Sequence, residues 1–197
     1  MCMTVFIKEA IKDFHMTAAI APSSRYLTRA MVGPLRLDRA KVVVELGTGT
    51  GVITRELLHR LPPGSTLIGF ETNPVFFHHV KGSLSDSRLF MLNTSAEKLV
   101  KNLEWLGYNQ VDAVVSSLGL GYMTEDQRHT VLQGVSSFLS NDGIFTHFQY
   151  FHGLQFRDGR FTRFDVKKLF RRYFDYVERK MVWCNLPPAY VYISSLI

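Results

Sequence analysis

The sequence predicts an α/β protein with a mostly parallel, seven-stranded sheet, helices on both faces and an antiparallel hairpin at the C-terminal end. Three observations predict it. Apolar runs alternate with helical stretches in the order βαβαβαβαβ, and such alternation builds parallel strands. The run Val42-Val43-Val44 is β-branched throughout and reads as a fully buried strand. Gly47, Gly49 and Gly51 follow it directly and lead into the good helix formers of 52–58. That is a strand, a glycine loop and a helix whose free N–H groups and partial positive charge face an anionic group.

Size and composition bound the rest. The 197 residues, 46% hydrophobic and 20% charged, suit one domain with a full core. Cys2 and Cys184 give no disulfide or metal framework, so a reducing cytoplasm is expected. No apolar run approaches the roughly 20 residues that span a bilayer, and residues 1–20 lack the features of a secretory signal. The net charge of +6 is concentrated: between Gln155 and Lys180, nine basic residues against four acidic ones leave +5. Such a segment either faces phosphates, of lipid headgroups or of nucleic acid, or is a solvated face.

Taken in order, Met3, Phe6, Ile7, Ala10, Ile11 and Phe14 form one apolar stripe of a helix over 3–15. At ~20 Å it is long enough to lie on a membrane or pack on its own domain, and too short to cross. Pro22 breaks the chain, Ser23 or Ser24 caps a helix from Arg25 to Val32, and Gly33-Pro34 stops it. A boundary at 34/35 divides this helical extension from the main domain, 35–197. Strands follow at 42–46, 66–71, 88–92, 111–117, 144–150, 173–184 and 190–195. Asn73 caps a helix with Pro74 at its first position. Ser95 and Glu97 open the next, and residues 124–139 form another, ended by Asn141-Asp142-Gly143. A short helix near 164–173 precedes the last two strands. The adjacent His78 and His79 point about 100° apart on their helix, which suits surface or packing roles better than a metal.

In such sheets ligands sit beyond the C-terminal strand ends, where strand order reverses. Gly47–Gly51, Glu71, Ser95 and 116–122 all fall at such ends. Glu71, some 20–25 residues past the loop, is placed to accept hydrogen bonds from both ribose hydroxyls of a nucleoside. The dinucleotide fingerprint needs G-x-G-x-x-G; here the third glycine comes one residue early.

Glu45-Leu46-Gly47-Thr48-Gly49-Thr50-Gly51 instead resembles the first motif of class I, Rossmann-like methyltransferases that use S-adenosylmethionine and release S-adenosylhomocysteine. Ile20-Ala21-Pro22-Ser23-Ser24-Arg25, Glu71-Thr72-Asn73-Pro74, Val111–Ser116 and the closing Val182-Trp183-Cys184-Asn185-Leu186-Pro187-Pro188-Ala189 are similar to the bacterial phospholipid N-methyltransferases. That family is in turn similar to the rRNA adenine dimethyltransferases. The resemblance implies transfer of methyl groups to the amine of phosphatidylethanolamine, toward phosphatidylcholine. It also implies a cytoplasmic protein bound peripherally to the inner face of an anionic membrane, with 1–34 as membrane element, substrate contact and lid. The cofactor residues it implies are Ser23, Ser24, Glu45, Gly47, Thr48, Gly49, Gly51, Glu71, Thr72, Asn73, Ser95, Ala96 and Ser116. Arg25, Arg157, Arg160 and Arg163 are the implied partners of the substrate phosphate, and no metal is expected.

Two positions depart from the family pattern. Ser95 stands where an acid commonly meets the adenine amino group. Ser116-Ser117-Leu118-Gly119 replaces Ser-Gly-Leu-Pro in the loop that contacts the acceptor, which leaves other aminolipids, such as an ornithine-containing one, open. The amine must be neutral and in line with the S–CH₃ bond. The carbonyls of Ser116 and Ser117 and the phenols of Tyr26, Tyr122 and Tyr150 are candidates to orient it or relay its proton; each tyrosine equally suits packing. An rRNA adenine N6-methyltransferase and a non-catalytic membrane or RNA adaptor are the alternatives.

Overall fold

The computed structural model describes residues 23–151, 154–157 and 160–196. The expected helix over 3–15 and the stretch before Ser23 lie outside them, as do the side chains of 154–157 and 160–163. The strands are β1 (Val42–Leu46), β2 (Thr66–Phe70), β3 (Leu89–Leu92), β4 (Val111–Ser116), β5 (Leu139–Tyr150), β6 (Leu154–Arg157), β7 (Arg160–Arg163), β8 (Tyr176–Val182) and β9 (Ala189–Ser195). The helices are α1 (Arg25–Val32), α2 (Val52–Arg60), α3 (Pro74–Ser83), α4 (Leu99–Trp105), α5 (Glu125–Phe138) and α6 (Val166–Phe170).

Seven strands form one sheet in the order β3-β2-β1-β4-β5-β9-β8. All pairings from β3 to β5 are parallel. β9 runs antiparallel to both β5 and β8, so it is the one reversed strand of this sheet. The order reverses between β1 and β4, and this opens a crevice beyond their C-terminal ends.

Alternation along the central strands splits the core into two layers. Val43, Leu67, Val115, Phe148 and Val191 face α1 and α2, where Leu27, Met31, Val32 and Leu57 complete the layer. Val44, Ile68, Val114 and Phe145 face Leu99, Leu103, Leu132 and Phe170 from α4, α5 and α6. Leu27, Met31 and Val32 are fully buried. At about 2 kcal/mol per large apolar side chain, their contact fixes α1 against the sheet. The described part of the expected extension, from Ser23 to Pro34, is thus packed into the main core.

Three local features differ from expectation. α5 ends at Phe138 and the chain enters β5 at Leu139 without a turn. Asn141-Asp142-Gly143 lie inside β5, where the register against β4 jumps from Val111↔Leu139 to Ala113↔Ile144. A Cβ on Gly143 would lie 2.7 Å from the Leu139 side chain, so the excursion needs glycine there. The basic segment holds a second, two-stranded sheet, β6 with β7, before a helix of only five residues. α5 begins with reciprocal bonds: Gln127 N–H to the Thr124 hydroxyl at 3.2 Å and Thr124 N–H to Gln127 Oε1 at 2.9 Å. No described helix is long and apolar enough to cross a membrane.

Candidate active site

The crevice begins at the loop after β1. Gly47, Gly49 and Gly51 all have positive φ, at 80°, 52° and 77°, a region that side chains disfavour. Nothing lies within 4 Å of where a Cβ on Gly49 would stand, so the main chain there faces open space. Glu71, one residue beyond β2, locks the loop. Its Oε2 accepts the Gly49 N–H at 2.8 Å and its Oε1 accepts the Asn73 N–H at 2.8 Å. Each carboxyl oxygen retains a lone pair for a ligand hydroxyl. Burial pushes the Glu71 carboxyl above its usual value, against the opposing pull of these N–H donors. Asn73 caps α3 as expected, its Oδ1 accepting from Val75 N–H at 2.8 Å. Asn93 Nδ2 donates to the carbonyls of Glu71 and Thr72 at 2.8 and 3.2 Å and so ties the end of β3 to the site.

Glu45 is fully buried, and neither carboxyl oxygen has a hydrogen-bond partner. Burial pushes its carboxyl up to about 8, with the charge of Glu71 adding to the rise. The Thr54 hydroxyl and main-chain N–H are near enough to moderate the rise, but neither makes a hydrogen bond of normal geometry to the carboxyl. The hydroxyl of buried Thr48 is also unpartnered. A protonated carboxyl is donor and acceptor at once. The crevice therefore offers open glycine backbone and the remaining lone pairs of Glu71, with the Glu45 carboxyl buried behind the loop.

At the third strand end Ser95 caps the turn Ala96–Lys98, its hydroxyl accepting from Glu97 N–H at 3.3 Å and donating to Glu97 Oε2 at 2.9 Å. A carboxylate thus stands two residues after Ser95, held by its hydroxyl. Sequence reading placed Glu97 at the helix start and did not assign it to the ligand. Its signal was the Ser-x-Glu spacing, which lets the two side chains meet across one turn.

The loop after β4 forms the other wall. Ser116 is buried at the strand end, and its Oγ lies 3.2 Å from Nδ1 of His147 on β5. His147 is fully enclosed by Phe145, Phe170 and Tyr192, and burial lowers its imidazole to about 3. It therefore stays neutral at all physiological pH and holds the Ser116 hydroxyl as a fixed partner. Ser117 donates its N–H to the Leu46 carbonyl at 2.9 Å, which ties this loop to β1. Arg128 on α5 is buried beneath the loop, with Nη1 donating to the carbonyls of Leu120 and Met123 at 3.2 and 2.8 Å. Its guanidinium lies 4.8 Å from the centre of the Phe164 ring. Neither His147 nor Arg128 is legible in the sequence: His147 acts through Ser116, 31 residues away, and Arg128 reaches back across a helix start to main-chain carbonyls, which carry no side-chain pattern.

The remaining candidates divide. Tyr122 is exposed on the loop. Tyr26 is exposed, with its phenol accepting from Arg25 Nη2 at 2.9 Å and its ring under the guanidinium at 4.9 Å. Tyr150 is buried in the layer facing α1, and burial pushes its phenol up to about 12. That phenol therefore stays protonated near neutrality. The Ser24 hydroxyl caps α1 through Leu27 N–H at 3.2 Å and donates to the Cys184 carbonyl at 3.0 Å. Its N–H goes to Asn185 Oδ1 at 3.0 Å. Ser24 is a cap and a tether between distant segments, and its one hydroxyl proton is already used. Ser23 is half-buried beside it. Gly47, Thr48, Gly51, Thr72 and Ala96 all stand at the crevice ends of their elements, while the side chains of Arg157, Arg160 and Arg163 lie outside the description. Among the described residues no group of His, Cys, Asp or Glu is arranged to hold a metal.

Comparison with known proteins accounts for this arrangement. A family model described as a methyltransferase domain matches residues 43–143, from β1 through the start of β5. The ornithine lipid N-methyltransferase of Singulisphaera acidiphila is 29% identical over 189 residues, covering 95% of this chain and 93% of that protein. A Haloferax volcanii methyltransferase solved with the Trm112 methyltransferase activator shares the fold at TM-score 0.68 and 16% identity, over 98% of this chain and 93% of that one. The O-methyltransferase of a trans-AT PKS multienzyme of Brevibacillus brevis, solved with S-adenosylhomocysteine, matches at TM-score 0.50 and 15% identity, over 64% of this chain and 40% of that one. The residues present fit such a ligand: an acid at the end of β2 with lone pairs to spare and an open glycine backbone beside it.

Proposed function

The chain belongs to the methyltransferase-domain family, and on that premise we propose that it uses S-adenosylmethionine to methylate the amine of an aminolipid. An ornithine lipid is the first acceptor in this reading and phosphatidylethanolamine the second. The observation that carries it is the full-length similarity to a protein named for ornithine lipid methylation. It extends over 95% of this chain and 93% of that protein, and so includes the loop after β4.

The bound sulfonium supplies an electrophilic methyl group. The chain's own residues bind and align. Glu71 takes the ribose hydroxyls while holding the Gly49 loop in shape. The Gly49 main chain and the start of α2 receive the carboxylate end. The Ser95–Glu97 pair offers an acceptor to the adenine amino group. On the acceptor side, the carbonyls of Ser116 and Ser117 orient the amine, His147 fixes the Ser116 hydroxyl and Arg128 fixes the loop. Alignment of this kind supplies most of the help a displacement needs. A lipid ammonium has an ordinary pKa near 10, by analogy with lysine. It must lose its proton before reaction, and the neutral amine then donates to those carbonyls.

The test uses purified protein, methyl-labelled S-adenosylmethionine, and vesicles carrying ornithine lipid, phosphatidylethanolamine or neither, with total RNA in parallel. Label in an aminolipid supports the reading and names the acceptor. Label confined to RNA overturns it.

A further inference from the structure

The segment 183–188 joining β8 to β9 carries two large apolar side chains that the core does not use. Trp183 is 71% exposed and Leu186 is 83% exposed. The loop is nonetheless well anchored. Asn185, between them, is buried, accepts the Ser24 N–H and donates to the Pro187 carbonyl at 2.7 Å. Strand register fixes its place. Val182 pairs with Ala189, and Ala189 pairs with Tyr150, the last residue of β5. The loop therefore projects from the same end of the sheet as Ser116 and the glycine loop, about 10 Å from β4 at two strand spacings.

Cations stand beside it. The Ser24 tether brings the start of α1 against the loop. There a cleft of about 430 Å³ is lined by Arg25, Arg29 and Arg55. The acid in that cleft, Glu56, already holds Arg60 at 2.6 Å. An apolar tip next to a cationic cleft complements an anionic bilayer, with the apolar groups entering the interfacial layer and the cations meeting headgroup phosphates. Nucleic acid shares the charge, but it binds by stacking on aromatic faces and gains nothing from Leu186, the most exposed large apolar side chain among the described residues.

We propose that the Trp183–Leu186 loop is the membrane-docking tip, immersed in an anionic lipid surface while Arg25, Arg29 and Arg55 contact its headgroups. This deepens the aminolipid reading and rests on it: docking here presents the mouth of the site to lipid amines in the surface.

The sequence has two tryptophans, and the second supplies the control. Trp105 is 74% exposed at the end of α4, ahead of β4 and thus at the opposite end of the sheet. The full chain is made as Trp105→Phe and as Trp183→Phe and mixed with vesicles of phosphatidylethanolamine and phosphatidylglycerol, with and without acyl-brominated lipid. Emission from Trp183 shifts to the blue and is quenched by the bromines, while emission from Trp105 does neither. Trp183→Ser and Leu186→Ser each weaken vesicle partitioning about tenfold, and leave methylation of detergent-dispersed ornithine lipid unchanged. Equal responses from both tryptophans, no response from Trp183, or a response to RNA in place of vesicles overturns the proposal. If Trp183 stays in water while dispersed ornithine lipid is methylated, docking fails and the aminolipid reading stands. If Trp183 inserts but no aminolipid is methylated, the reverse holds.

Discussion

Replacing Glu45 by Gln should change how stability depends on pH more than how large it is. The wild-type carboxyl is fully buried without a hydrogen-bond partner and holds its proton to about pH 8, against 4.5 in the unfolded chain. Between those values the folded state binds about one more proton than the unfolded state, so stability falls as pH rises, by about 1.4 kcal/mol per unit. The penalty is absent below pH 4.5 and complete above pH 8. From pH 5 to pH 8 it grows by roughly 3 to 4 kcal/mol, a large share of the 5–15 kcal/mol that stabilises a typical domain. Gln keeps the shape and carries no proton to lose. Urea unfolding of both proteins without cofactor, at pH 5, 6.5 and 8, gives the difference directly. Stability of Glu45→Gln relative to wild type should rise by that amount across the range. A constant difference would show that Glu45 is ionised or solvated, and would refute its burial as a protonated carboxyl.

Other consequences follow from the same geometry. Glu71→Ala removes two loop hydrogen bonds and the ribose acceptor, and should weaken S-adenosylmethionine binding about a hundredfold by calorimetry; unchanged affinity would displace the cofactor from this crevice. Arg128→Met frees the loop over Leu120–Met123, and should raise the KM for the lipid about tenfold while cofactor affinity stays within twofold. His147 is depressed to about 3 against 6.5 when unfolded, so its neutral form stabilises fully above pH 6.5, and that stability is lost as pH falls toward 3. In the Glu45→Gln background, His147→Phe should therefore flatten stability between pH 6.5 and 4, where the parent loses about 3 kcal/mol.

The sequence showed the parts that depend on local pattern. Val42–Val44 and the three glycines declare a buried strand and a positive-φ loop, and Glu71 and Asn73 follow from where the next strand ends. Ser24 was legible as a cap, but its tether to Cys184 and Asn185 joins segments 160 residues apart and leaves no local trace. The Ser116–His147 contact depends on β4 and β5 lying in register, and pairing partners are set by the whole sheet. Asn141-Asp142-Gly143 has the composition of a helix stop, yet α5 already ends at Phe138, and the excursion is absorbed inside β5. The β6–β7 hairpin went unseen because its charged residues, read alone, suggest a solvated surface. Glu97 reads in sequence as a helix-start acid, and only the Ser95–Glu97 hydrogen bond places its carboxylate beside the strand end.

The most direct test of the central claim is the headgroup mass of an ornithine lipid after incubation with this protein and S-adenosylmethionine. The account predicts a fragment heavier by one or more methyl groups on the terminal nitrogen, formed by wild type and absent with Glu71→Ala. A headgroup left unmodified by protein that binds the cofactor, or a methyl group carried on oxygen, would contradict it.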